Sequence, residues 1–268
     1  MAKFFADRGT HLAAMVAYFA LLSFVPIIFL ALSLLGLAHR ADASDFLVRE
    51  LAQAFPGSSL ESILSLVHRV QDNAATLGIN GGIALLWSSL SLFSALESAL
   101  NIVYGLPNRS FLKGKALAGT VMVGSIVTLF ASLVVGAFGV AVLAHYAPGI
   151  VGNGIVAYVV SIAVSLLGVF VFLLAVYRLL PNTLVTLHDA LPGAIFASVV
   201  LEASFQVLPI FVRLADVNVT LRVLGGPAIL LLWLYVMANM IVFGAELNWW
   251  YAERRASRKG SDTVEGVA

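Results

Sequence analysis

LAAMVAYFALLSFVPIIFLALSLLGLA, Leu12 to Ala38, runs for 27 residues without a charged side chain. About 20 predominantly apolar residues suffice for a helix to cross the hydrocarbon core of a bilayer. The stretch is too long for a removable secretory signal, and further apolar runs follow without a small-residue cleavage site, so it reads as a retained anchor. The rest of the chain agrees. Of 268 residues, 61% are hydrophobic and 11% charged, with a mean hydropathy of +1.00, which is the composition of an integral membrane protein.

Working outward, five more runs have the length of a span: Leu77 to Tyr104, Lys115 to Ala144, Ile150 to Leu180, Ala190 to Arg213 and Leu221 to Tyr251. The expected fold is all-α, a polytopic bundle of six transmembrane helices forming a single domain over 1–256, with a disordered tail over 257–268. The long connection between the first two spans, about 40–76, carries its own helical pattern. Leu60, Ile63, Leu64, Val67 and Val70 share a helix face, and Ser58 and Glu61 have capping-box spacing. With FLVRELAQAF before Pro56 it reads as a two-helix amphipathic hairpin lying on the outer leaflet.

Charge placement sets the expected orientation. With a cytoplasmic N-terminus, Lys3, Arg8, Arg109, Lys113, Lys115, Arg178, Arg254, Arg255, Arg258 and Lys259 face inward, and Arg40, Arg49, Arg69, Arg213 and Arg222 face outward. The positive-inside rule therefore puts both termini in the cytoplasm.

Several chemistries lack their residues. The chain has no cysteine, which rules out disulfides and thiolate metal sites. His11, His39, His68, His145 and His188 are scattered without ligand spacing. No nucleophile elbow, Walker loop or dinucleotide fingerprint occurs. A formal net charge of +1, spread along the chain, gives no footprint for nucleic acid. No cofactor, metal or enzymatic activity is expected, ribonuclease activity included.

What remains is a set of polar residues inside apolar runs. An ionisable group at mid-membrane costs on the order of 2.5 to 3.5 kcal/mol on insertion scales, so it requires a partner, water or a proton. Glu97, Glu202 and Glu246 occupy the second, fifth and sixth spans, each with a carboxamide on the same helical face: Asn101, Gln206 and Asn239 respectively. At a rise of about 1.5 Å per residue all three acids fall between the proposed inner surface and the midplane. The second span adds Trp87, Ser91, Ser94 and Ser98 at helical spacing. Two readings stand side by side. The acids line one cytoplasm-facing polar cavity, with Glu202 as a proton carrier assisted by Glu97 or Glu246. Or they only hydrogen-bond neighbouring helices, with Glu246 reaching the interface to pair with Arg254 or Arg255.

Four stretches carry a family resemblance: DRGTHLAAMVAYFALLSFVPIIFLALSLLG, GGIALLWSSLSLFSALESALNIVYG, LPGAIFASVVLEASF and GGPAILLLWLYVMANMIVFGAELN. In order and spacing they resemble the YihY/BrkB family of bacterial inner-membrane proteins. The resemblance implies a six-helix bundle in the bacterial cytoplasmic membrane. Its recurring polar positions fall on Tyr18, Ser23, Trp87, Ser88, Asn101, Glu202, Trp233, Tyr235, Glu246 and Asn248. Glu97 stands where the family often has Gln or Asp, and Leu201 and the run NVTLRV stand where it commonly has aromatics. The family is associated with virulence, serum resistance and envelope lipid transport, and an older label calls it a ribonuclease.

The expected function is therefore membrane transport of a lipid-linked or amphipathic envelope component, with membrane lipids as partners. The substrate and proton cavity is expected to be lined by Tyr18, Ser23, Trp87, Ser88, Ser94, Glu97, Asn101, Glu202, Gln206, Asn239 and Glu246. The alternative is a non-transporting envelope-biogenesis or virulence scaffold acting through the outer hairpin.

Overall fold

A computed structural model describes residues 2–37, 74–110, 112–121, 123–124, 154–217 and 226–265. The regular structure in these segments is helical: α1 (Ala2–Ala6), α2 (Gly9–Leu37), α3 (Ala74–Val103), α4 (112–121), α5 (Gly154–Leu179), α6 (Leu187–Val217) and α7 (Gly226–Glu265). Among the described residues four helices hold stretches long and apolar enough to span a membrane: Leu86–Val103, Tyr158–Leu179, Leu187–Val207 and Pro227–Arg255. The protein is an all-α polytopic membrane protein. The hairpin expected at about 40–76 lies outside the described residues up to position 73, as does most of the third expected span.

Local chemistry explains the helix ends. α3 stops at a Schellman-type cap in which Gly105 takes φ +67° and the Leu106 amide donates to the Asn101 carbonyl at 2.7 Å. α6 begins before the expected Ala190 because Thr186 caps it, its hydroxyl exchanging hydrogen bonds with the Asp189 amide (3.3 Å) and carboxylate (2.5 Å). Arg8, at φ 56°, separates α1 from α2. α2 and α6 continue through Pro26 and Pro209, so neither proline ends its helix. α7 extends to Glu265, through positions that read as a tail from Ser257 onward. Apolar periodicity reports burial, so a polar helical extension leaves no such signature.

The described chain divides into two compact units. The first comprises Met1–Leu12, Leu96–Gln206 and Asn239–Ala268. Its core sets Leu100 and Val103 of α3, Leu173, Val176 and Tyr177 of α5, Ala190, Ala194 and Ala197 of α6, and Val242 and Ala245 of α7 out of contact with solvent. Two glycines let α6 and α7 touch. A Cβ at Gly193 would collide with the Gly244 carbonyl oxygen and fall 2.7 Å from the Asn248 side chain. Such small-residue contacts replace the hydrophobic drive that lipid cannot supply. The second unit comprises Ala13–Ala95 and Val207–Ala238, with Ala13, Val16, Ala17, Phe93, Ile229 and Trp233 buried.

Candidate functional site

The eleven positions expected to line a cavity divide between the units. Glu97, Asn101, Glu202, Gln206, Asn239 and Glu246 belong to the first, and Tyr18, Ser23, Trp87, Ser88 and Ser94 to the second.

In the first unit the three acids are all buried, at 5% (Glu97), 6% (Glu202) and 7% (Glu246) exposure, but they serve three different bonded groups. Glu97 meets Arg109, whose Nη1 lies 3.1 Å from Oε1. The same guanidinium donates to the backbone carbonyls of Leu180 (2.5 Å) and Pro181 (2.7 Å). Gly114 leaves room for this carboxylate, since a Cβ there would stand 3.1 Å from Oε2. Asn101 does not bond its expected neighbour Glu97. Its Nδ2 donates to Asn108 at 3.2 Å and its Oδ1 accepts from the Asn182 amide at 2.7 Å. Asn182 Nδ2 donates to the Pro107 carbonyl at 3.0 Å, and Asn108 Nδ2 to the Ser98 hydroxyl at 3.1 Å. These bonds fasten the connector after α3 to the connector between α5 and α6.

Glu246 does not reach Arg254 or Arg255. Lys3 of α1 approaches its Oε2 at 3.5 Å, bonds Asp7, donates to the Val103 carbonyl at 2.6 Å and lies 4.4 Å from the centre of the Trp249 ring. Arg254 instead stacks over Trp250 at 3.8 Å, and Arg255 pairs with Asp189 at 2.9 Å. The reason is geometric: α1 places Lys3 against the end of α3 and the Glu246–Trp249 turn of α7, giving Glu246 a nearer cation than those on its own helix. Asn239, two turns earlier, is half-buried.

Glu202 has a third kind of environment. Ser165 of α5 donates to Oε2 at 2.7 Å and Gln206 to Oε1 at 3.1 Å, while Tyr158 donates to the Gln206 carbonyl oxygen at 2.7 Å. The pairing with Gln206 is the one expected from helical spacing. Among the described residues no basic group lies within 4 Å of Glu202, in contrast to Glu97 and Glu246.

The second-unit positions behave differently. The hydroxyls of Ser23 and Ser94 donate to the carbonyls of Phe19 (2.9 Å) and Leu90 (2.7 Å), one turn back on their own helices. Ser91 does the same toward Trp87 at 2.9 Å. Ser88 is buried, whereas Tyr18 and Trp87 are exposed, Trp87 at 77%.

Lys3, Arg109, Ser165 and Tyr158 are partners of these polar groups that spacing along a single helix did not reveal. One signal was present: Leu-Pro-Asn occurs twice, at Leu106 to Asn108 and Leu180 to Asn182, and these are the two connectors that bond one another. Asn248, buried completely, accepts a hydrogen bond from the Gly193 amide at 2.6 Å, which accounts for that polar position within the α6–α7 contact. No group of three or more His, Cys, Asp or Glu residues able to hold a metal occurs among the described residues.

Helices of spanning length with buried acids bonded between elements define the class: a multi-pass α-helical membrane protein. Residues 1–266 match the family described as virulence factor BrkB, and the chain belongs to that family. It is 27% identical over 258 residues to YfkH of Bacillus subtilis, a protein named ribonuclease-like, covering 92% of this chain and 91% of that one. It is also 28% identical to a UPF0761 membrane protein of Ralstonia nicotianae, covering 90% of this chain and 55% of that one, and 26% identical to another from Pseudoalteromonas translucida, covering 90% and 81%. The chain thus spans little more than half the length of the Ralstonia relative. No solved structure matches. The family description names no enzymatic activity.

Proposed function

We propose that this protein transports a lipid-linked or amphipathic envelope component across the membrane, with proton uptake and release at Glu202. The observation that carries the reading is the environment of that acid. It is buried within the Leu187–Val207 span, holds hydrogen bonds at both oxygens, and has no cation within 4 Å among the described residues. An ion-paired carboxylate must break its pair to change charge. Glu202 changes proton occupancy while Ser165 and Gln206 stay in place, because a hydroxyl and an amide serve either form. Intramembrane acids of this kind are the usual material of proton relays.

Six spans, an outer hairpin and cytoplasmic termini complete the proposal, supported by the hydropathy runs and by the excess of Lys and Arg on one side. The test is Glu202→Gln in vesicles carrying a fluorescent short-chain phospholipid under an imposed pH gradient. The expected result is loss of gradient-driven movement with normal accumulation in the membrane. Gradient-driven movement at the wild-type rate in this variant ends the proton reading. A wild-type protein that moves no lipid probe under any gradient favours the scaffold alternative, for which the virulence-factor description of the family is the support.

A further inference from the structure

The connector between α5 and α6 displays an apolar side chain with nothing around it. Leu184 is 99% exposed. The backbone on either side is held firmly: Leu180, Pro181 and Asn182 by Arg109 and Asn101, and Thr186 by its cap on α6. Val185, the next residue, is buried. A slack loop could fold its leucine inward, but this one cannot, so the exposed position is imposed by the framework around it.

The connector bonded to it, after α3, leads into α4 with Leu112 79% exposed. Each side of this surface has an exposed cation, Lys113 next to Leu112 in the chain and Arg178 on the last turn of α5. From 104 to 116 and from 178 to 188 the sequence contains no Asp or Glu. The nearest acid in the chain, Asp189, is paired with Arg255. That pair also brings the end of the Pro227–Arg255 stretch of α7 alongside, with Trp250 and Tyr251 partly exposed and Arg254 over the Trp250 ring. Exposed Trp and Tyr at the end of a spanning helix mark the membrane–water interface.

Position decides the partner. The connector joins spans that end at Leu179 and begin at Leu187, so at no more than about 3.6 Å per residue Leu184 cannot travel far from the membrane surface. We propose that these two connectors form a binding surface for anionic lipid headgroups. Lys113 and Arg178 meet the phosphates, and Leu184 and Leu112 enter the acyl boundary beneath. Apolar tips with an exposed cation on each connector, and no acid within 104–116 or 178–188, suit an anionic leaflet. The surface is independent of Glu202.

Because the chain has no cysteine, Leu184→Cys accepts a single environment-sensitive fluorophore. The labelled full-length protein is placed in phosphatidylcholine vesicles with increasing phosphatidylglycerol. The expected result is a blue shift that grows with phosphatidylglycerol, with quenching by nitroxide-bearing lipid. Lys113→Gln and Arg178→Gln should each raise the phosphatidylglycerol fraction needed for half the shift by about fivefold, the value of one cation near an anionic surface. Should one variant not accumulate, the other variant or added salt gives the same reading, since salt must move the half-point upward. The proposal is overturned if pure phosphatidylcholine gives the full shift, or if the half-point ignores both salt and the substitutions. It is also overturned if inorganic phosphate in phosphatidylcholine vesicles reproduces the shift, which would make the ligand a soluble anion.

Discussion

Among the described residues polar groups are satisfied in two ways, across elements in the first unit and within one helix at three serines of the second. The first unit also has bonds within one helix, at Thr120 and Ser198. In the first, Arg109, Asn101, Asn182, Lys3 and Ser165 bond between helices and connectors. In the second, the hydroxyls of Ser23, Ser91 and Ser94 return to carbonyls four residues back on their own helix. Where water is absent every polar group seeks a partner, yet the two solutions have different consequences. A bond to the same helix satisfies the hydroxyl and fixes nothing else. A bond to a different helix fixes two elements together, and when it involves a buried charge, breaking it leaves that charge uncompensated.

Removing the largest of these cross-links should break the contrast most. Arg109→Ala strands Glu97 in the core and releases the Leu180 and Pro181 carbonyls, with an expected loss of about 3–5 kcal/mol in detergent unfolding, or failure to accumulate. Replacing both partners together, as Arg109→Met with Glu97→Leu, should recover much of that loss, since no lone charge remains. A double variant no better than Arg109→Ala would show that the carbonyl contacts dominate.

Gly193→Val tests the close approach of α6 and α7. Its side chain has no room against the Gly244 carbonyl and Asn248, so a destabilisation of about 1–3 kcal/mol, or more, is expected from overpacking, read as a lowered Tm. Asn182→Ala removes the one bond between the connectors that its side chain makes, to the Pro107 carbonyl, and should cost about 1 kcal/mol. Its own amide remains able to donate to Asn101, so the effect should stay below that of Arg109→Ala. At the small end, Ser91→Ala and Ser94→Ala should each change stability by no more than about 0.5 kcal/mol, because only a bond within one helix is lost. A cost near that of Asn182→Ala would erase the distinction between bonds across elements and bonds within one helix.

How legible these features were depended on distance along the chain. The pairing of Glu202 with Gln206 was visible because residues four apart stack on one helix. The same rule placed Asn101 beside Glu97, where the structure gives each a different partner from a connector. One of the two readings pairs Glu246 with cations on its own helix, and it instead meets Lys3, because α1 is an independent short element whose direction is set at Arg8, a residue with φ 56°. The serine stripe of α3 was apparent as a helical face, but spacing does not say whether a hydroxyl looks across to a neighbour or back along its own turn.

The chain's sequence by itself determined that the protein lives in a bilayer and crosses it as helices, because apolar length is a property of consecutive residues and the membrane has a fixed thickness. It also determined the family, through stretches whose order survives along the whole chain. Only the tertiary structure decided which acid, among the described residues, carries a cation and which does not. Arg109 reaches Glu97 and Lys3 approaches Glu246 through connectors and a terminal helix whose courses no periodicity encodes, and Glu202 is set apart because neither of them comes near it.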